Sequence, residues 1–95
     1  MNIFIGSGRI VDTKPSDNGQ ILRFVLSVEG KTKQDRIPCL MFKPPPEVKQ
    51  LLSKQGQYVE LQGKVQSFSF ELAGENVCRT EVVVSPHSIR SVSGR

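Results

Sequence analysis

Pro44-Pro45-Pro46-Glu47-Val48-Lys49-Gln50-Leu51-Leu52-Ser53-Lys54-Gln55-Gly56-Gln57-Tyr58-Val59-Glu60-Leu61-Gln62-Gly63-Lys64-Val65 changes period halfway along. Val48, Leu51 and Leu52 have i, i+3, i+4 spacing and form one apolar stripe. Proline is tolerated in a first helical turn, and Gly56 is a natural stop. Glu47 and Lys54 sit at the ends that suit the helix dipole. After Gly56 the period becomes two: Val59, Leu61, Gly63 and Val65 alternate with Tyr58, Glu60, Gln62 and Lys64. The stretch is a short helix followed by a strand, and no other segment of the chain has helical spacing.

The residues before it read as three strands. Asn2 to Val11 is apolar with interruptions at Gly6 and Gly8, which suggest a bulge or bend. Asp12 to Gly19 is a cluster of turn formers. Leu22, Phe24, Leu26 and Val28 then share one face, with Arg23, Val25 and Ser27 on the other. A polar loop, Glu29 to Asp35, carries Lys31 and Lys33. Arg36 to Lys43 follows, with Ile37, Cys39 and Met41 opposite Arg36, Pro38, Leu40 and Phe42. Pro38 cannot donate to a ladder, so part of this strand is left unpaired or bulged.

Beyond Val65 the inward set turns polar at Ser67 and Ser69, while Phe68 and Phe70 occupy the outward face. That is the pattern of a strand leaving the core as a hairpin arm. Leu72 to Asn76 supplies the turn, and Val77 to Val84 the fifth strand, broken at Ser85-Pro86. Ser91 to Arg95 reads as a frayed end, which places one domain over residues 1–90. Five strands with one helix between the third and fourth match the all-β OB-fold, a partly open Greek-key barrel.

Composition narrows the function. The 95 residues hold 13 Lys plus Arg against 9 Asp plus Glu, a net charge of +4. A pI near 9.4 is a footprint of nucleic-acid binding. The charge is evenly spread, with seven basic residues in 1–48 and six in 49–95, so the fold must assemble any basic patch. Nothing at the amino terminus has the form of a secretion signal, and no apolar run approaches the roughly 20 residues of a membrane helix. Cys39 and Cys78 lie in apolar stretches and read as buried free thiols. His87 has no partner at metal-ligand spacing, no nucleophile is matched to a base, and no phosphate-binding loop is present. The residues therefore point to a binding protein without cofactor or metal.

Four stretches carry a more specific likeness. They are Asn2-Ile3-Phe4-Ile5-Gly6-Ser7-Gly8-Arg9-Ile10, Leu40-Met41-Phe42-Lys43, the run from Leu52 to Val65, and Thr80-Glu81-Val82-Val83-Val84. Together they resemble the bacterial single-stranded-DNA-binding protein family over about residues 2–90. The resemblance implies base stacking on aromatics in a basic groove with little sequence preference. By position, Phe42 and Phe70 fall where the family places stacking aromatics, and Phe68 shares the face of Phe70 and Lys64. Arg36, Lys64, Arg79, Lys31, Lys33, Lys43, Arg23 and Arg9 are the candidate cationic contacts.

The resemblance also implies a homodimer or homotetramer paired through the first strand, Asn2, Ile3, Phe4, Ile5 and Gly6. It further implies a cytoplasmic, nucleoid-associated bacterial protein that coats unpaired strands, contacts other replication proteins and needs no membrane. Stacking does not read the 2′-OH, so RNA is a second ligand class.

Two departures stand out. The chain has no tryptophan, and Arg36 stands roughly where the family has one; its planar guanidinium can stack in place of an indole. The chain ends at Arg95 with neither a glycine-rich linker nor an acidic tail. Primosomal replication protein N, similar in fold, shares that departure. It gives the alternative reading, a replication adaptor docking protein partners through Phe68, Phe70 and the fifth strand.

Overall fold

The computed structural model describes residues 2–30 and 32–92. Six strands and one helix follow in the order β1 (Phe4–Pro15), β2 (Ile21–Glu29), β3 (Gln34–Phe42), α1 (Pro46–Leu52), β4 (Tyr58–Leu72), β5 (Glu75–Val84) and β6 (Arg90–Ser91). They form one sheet in the order β1-β2-β3-β5-β4-β6, and an additional β1–β4 pairing closes it. β1 to β5 make the five-stranded OB-fold barrel with its helix between β3 and β4, as the hydrophobic periods predict, and β6 adds two residues beside β4.

Closure depends on β1, which serves two neighbours. Phe4 to Arg9 pairs with β4, and Arg9 to Pro15 pairs with β2. Arg9 is the hand-over residue, opposite both Tyr58 and Ser27. Gly8 makes the crossing possible, because a Cβ there would collide with the Ser27 carbonyl. The sharp irregularity lies further on, between Val11 and Lys14, where Asp12 adopts φ 52°. The sequence suggests a loop from Asp12. The strand instead absorbs that residue as a bulge and continues to Pro15, because its backbone groups find partners on β2.

The barrel interior takes the inward set of every strand. Ile10, Phe24, Leu26, Met41, Val59 and Leu61 are all within 2% of complete burial. Each such side chain contributes about 1.5–3 kcal/mol relative to exposure. Helix α1 covers one end of the barrel with Val48 and Leu52. Seven residues form a marginal helix on their own, and its first turn has no side-chain cap. Tertiary contacts hold it: the Thr13 hydroxyl donates to the Leu52 carbonyl at 2.9 Å, satisfying a terminal acceptor.

Among the described residues β3 and β5 form the one parallel pair, over only Cys39↔Val82 and Leu40↔Val83. Pro38, which has no N–H, marks the end of that ladder, while the β2 side of β3 stays paired through Val25↔Pro38. The sequence-based expectation of a locally unpaired β3 holds on one edge only.

β4 and β5 run past the barrel as an arm, paired as far as Leu72↔Glu75. Ala73 (φ 53°) and Gly74 (φ 81°) make the two-residue turn, both left-handed as a type I′ hairpin requires. The arm stretches the molecule to 47 × 36 × 27 Å with a radius of gyration of 13.7 Å, above the roughly 12 Å of a compact chain of this length.

The ordered barrel extends past residue 90. Arg90 and Ser91 pair with Glu60 and Val59, the Val92 N–H donates to the Tyr58 carbonyl at 3.0 Å, and Arg90 forms an ion pair with Glu60. Residues 93–95, the rest of the end expected to fray, lie outside the described residues.

Candidate nucleic-acid interface

The strand register assembles the outer surface of the barrel row by row, since residues opposite one another share a face. One row runs Arg23, Leu40, Val83, Lys64 across β2, β3, β5 and β4. Next to it Ile21 faces Phe42, and along β2 and β3 Val25 faces Pro38 and Ser27 faces Arg36. On the arm Gln66 faces Glu81, Phe68 faces Arg79, and Phe70 faces Val77. Period two thus puts Phe42, Phe68, Phe70, Arg23, Arg36, Lys64 and Arg79 on one continuous outer face.

The aromatics are available on it. Phe42 is 47% exposed and Phe70 40%, while Phe68 is half-buried. The Arg79 guanidinium stands over the Phe70 ring, 5.9 Å from its centre. Leu40, which shares the face of Phe42 by parity, is buried to 1%. Its place between Arg23 and Val83 in the middle of four strands covers it, and it forms the floor of the face. Beside Phe42 a groove of about 430 Å³ runs between Ile3, Gly63, Lys64, Val83 and Pro86.

The cations divide by their partners. Arg36 is tied to Asp12 at 2.5 Å, and both are exposed. Arg23 Nε lies 3.6 Å from Glu81, a carboxylate buried to 4%. Lys33 is 4.0 Å from Asp35 at the exposed β2–β3 turn. Among the described residues, no carboxylate forms a salt bridge with Lys64, Lys43 or Arg79. Lys43 follows β3 with φ 49°, its N–H held by the Gln20 carbonyl at 2.7 Å. Arg9 is directed elsewhere, donating to the Gly56 carbonyl at 3.2 Å and lying over the Tyr58 ring at 5.8 Å. Lys31 lies outside the described residues.

Sequence reasoning passes over the acidic members, Asp12 and Glu81, and over Lys14. Parity could have found Glu81, since it alternates with Arg79 and Val83. Asp12 and Lys14 could not be found, because the bulge that carries them to this face leaves no periodic trace.

The first-strand residues separate by parity as well. Ile3 and Ile5 point out, Ile5 with 70% of its surface exposed, while Phe4 packs against the core over Gly6. The Asn2 amide donates to the Val65 carbonyl at 2.7 Å and accepts from its N–H at 2.9 Å, continuing the β1–β4 ladder by a side chain. β2 pairing begins only at Arg9, so one edge of Phe4 to Gly8 has no neighbouring strand within the described residues.

The two cysteines differ from each other. Cys39 is buried, and its desolvation pushes the thiol from 9.0 to about 12. Cys78 is exposed, correcting the expectation of two buried thiols, because it sits on the arm opposite Ser69, beyond the core.

No family model and no curated protein sequence matches the chain. Solved structures do. The mitochondrial single-stranded DNA binding protein of S. cerevisiae is similar with a TM-score of 0.71 at 15% identity, over 95% of this chain and 93% of that one. The Plasmodium falciparum SSB, in a complex with ssDNA, is similar with a TM-score of 0.70 at 19% identity, over 97% of this chain and 93% of that one. At these identities the likeness assigns architecture: over nearly its whole length the chain has the OB-fold that these two single-stranded-DNA-binding proteins share.

Proposed function

We propose that the chain binds single-stranded DNA across the outer face of β2, β3, β5 and β4, coating and protecting unpaired strands in replication, recombination or repair. One observation carries the reading: the register gathers Phe42, Phe68 and Phe70 onto one face with Lys64 and Arg79. Bases stack on the rings at about 1–3 kcal/mol each, without regard to identity, and the cations meet the phosphates. The likeness to a protein solved in complex with ssDNA supports the same ligand. Arg36 joins in when a phosphate takes the place of Asp12, since both partners are exposed and such a pair is weak.

The chain acts as a homo-oligomer through the open edge of β1, with Ile3 and Ile5 as its apolar contacts. An unpaired edge carrying exposed isoleucines is a template for a second strand. Several copies along one strand raise affinity by effective concentration. The setting is the bacterial cytoplasm, at the nucleoid.

Fluorescence anisotropy of a labelled oligothymidine tests the binding. Submicromolar affinity that weakens with salt is expected. No binding at about 100 µM protein in low salt would contradict the reading and turn attention to a protein partner for the same face.

A further inference from the structure

Glu81 is the one buried charged side chain among the described residues, and it lies in the middle of a face that attracts an anion. It precedes Val82, the β5 partner of Cys39, and has Gln66 opposite on β4. Its ion-pair partner is Arg23, through Nε at 3.6 Å. The two residues line a cavity of about 310 Å³ whose wall also includes Asp12, Lys14, Pro38 and Arg79. The Arg23 side chain is 51% exposed, so part of it reaches the surface over that cavity.

The two ion pairs of the face respond differently to an incoming phosphate. Asp12 is exposed, so water solvates it once Arg36 leaves. Glu81 has no such alternative: a buried charge stripped of its partner carries a large penalty. Arg23 therefore stays with Glu81 when a strand arrives, and its charge is already spent. The guanidinium is a rigid fork of five N–H groups, and a salt bridge through Nε leaves the terminal amino groups to donate.

We propose that Glu81 is a positioning residue for the strand-binding site. It neutralises Arg23 and fixes its guanidinium as a preset hydrogen-bond donor over the cavity, taking Arg23 out of the set of mobile phosphate-neutralising cations. This inference rests on the strand-binding reading.

The test is the salt slope of oligothymidine binding, measured for the native protein, Glu81→Gln and Arg23→Gln/Glu81→Gln, each checked by circular dichroism for folding. Glu81→Gln frees one cation, so the log–log slope steepens by about 0.7, the value for one more phosphate neutralised on a single strand. The double variant returns to the native slope with affinity several-fold below native. An unchanged slope in Glu81→Gln overturns the proposal, as does a steeper slope that persists in the double variant.

A measurement on the native protein covers the case in which a variant does not fold. The ¹⁵N NMR signal of the Arg23 Nε–H is expected to stay resolved and unmoved between low and 300 mM salt. A signal averaged with those of exposed arginines overturns the tether. Absence of oligonucleotide binding by the native protein would remove the strand-binding reading instead, with the NMR signal still reporting on the Arg23–Glu81 pair.

Discussion

The Arg79 guanidinium lies over the ring of Phe70, 5.9 Å from its centre, on the arm that β4 and β5 extend beyond the barrel. The two side chains are diagonal neighbours, Arg79 opposite Phe68 and Phe70 opposite Val77. A cation and an aromatic that touch present phosphate and base contacts within one nucleotide's reach. Phe70→Ala is therefore expected to weaken oligothymidine binding by about 5- to 150-fold, the equivalent of one stack of about 1–3 kcal/mol. Thermal melting should move little, since the ring is 40% exposed. Anisotropy and a melt on the same preparation check both halves.

Leu40 and Phe42 share a face but not a role. Leu40→Ala empties a buried site, and a loss of about 2–5 kcal/mol of stability is expected in urea unfolding. Phe42→Ala removes an exposed ring, so it should lower oligonucleotide affinity with stability nearly intact. Equal effects of the two substitutions on binding would contradict the stacking assignment.

The fold was legible because period two and one helical stripe leave few topologies. Leu22-Phe24-Leu26 and Val59-Leu61 gave the inward faces directly, and the polar turn of the inward set at Ser67 and Ser69 announced the arm. The bulge at Asp12 was not legible: its φ of 52° accompanies a register shift against β2 between Val11 and Lys14, which is a tertiary event. The burial of Leu40 was not legible for a related reason, since parity assigns a face but the burial of that face depends on the β5 neighbour. Candidate cations were legible as residues, yet their pairing with Asp12 and Glu81 required the register between strands distant in sequence.

Cys39 makes stability depend on alkaline pH. Burial raises its thiol from 9.0 to about 12, so the folded chain holds a proton that the unfolded chain releases. Below pH 9 both states are protonated and the group contributes its full share. Between pH 9 and about 12 that share is lost as the unfolded thiol ionises. Urea unfolding at pH 8.5 and 10.5 should show a decline in the native protein larger by about 1–2 kcal/mol than in Cys39→Ala. A thiol reagent at pH 8 is expected to label Cys78 alone until the chain unfolds.

Ile5 provides the test of assembly. Ile5→Asp places a charge on the outward face of β1 without touching Phe4, the core or the groove beside Phe42. Sedimentation velocity is expected to show an oligomer for the native chain and a monomer for the variant. The variant should bind long oligonucleotides more weakly than native but short ones equally, because only the linked contacts are lost.

The most direct test of the strand path is a ¹H–¹⁵N NMR titration of the native protein with oligothymidine. Bound DNA on the proposed face predicts shifts clustered at Arg36, Phe42, Lys64, Phe68, Phe70 and Arg79, with Val48 and Leu52 of the covering helix unmoved. Shifts centred on α1, or none at saturating oligonucleotide, would contradict the account.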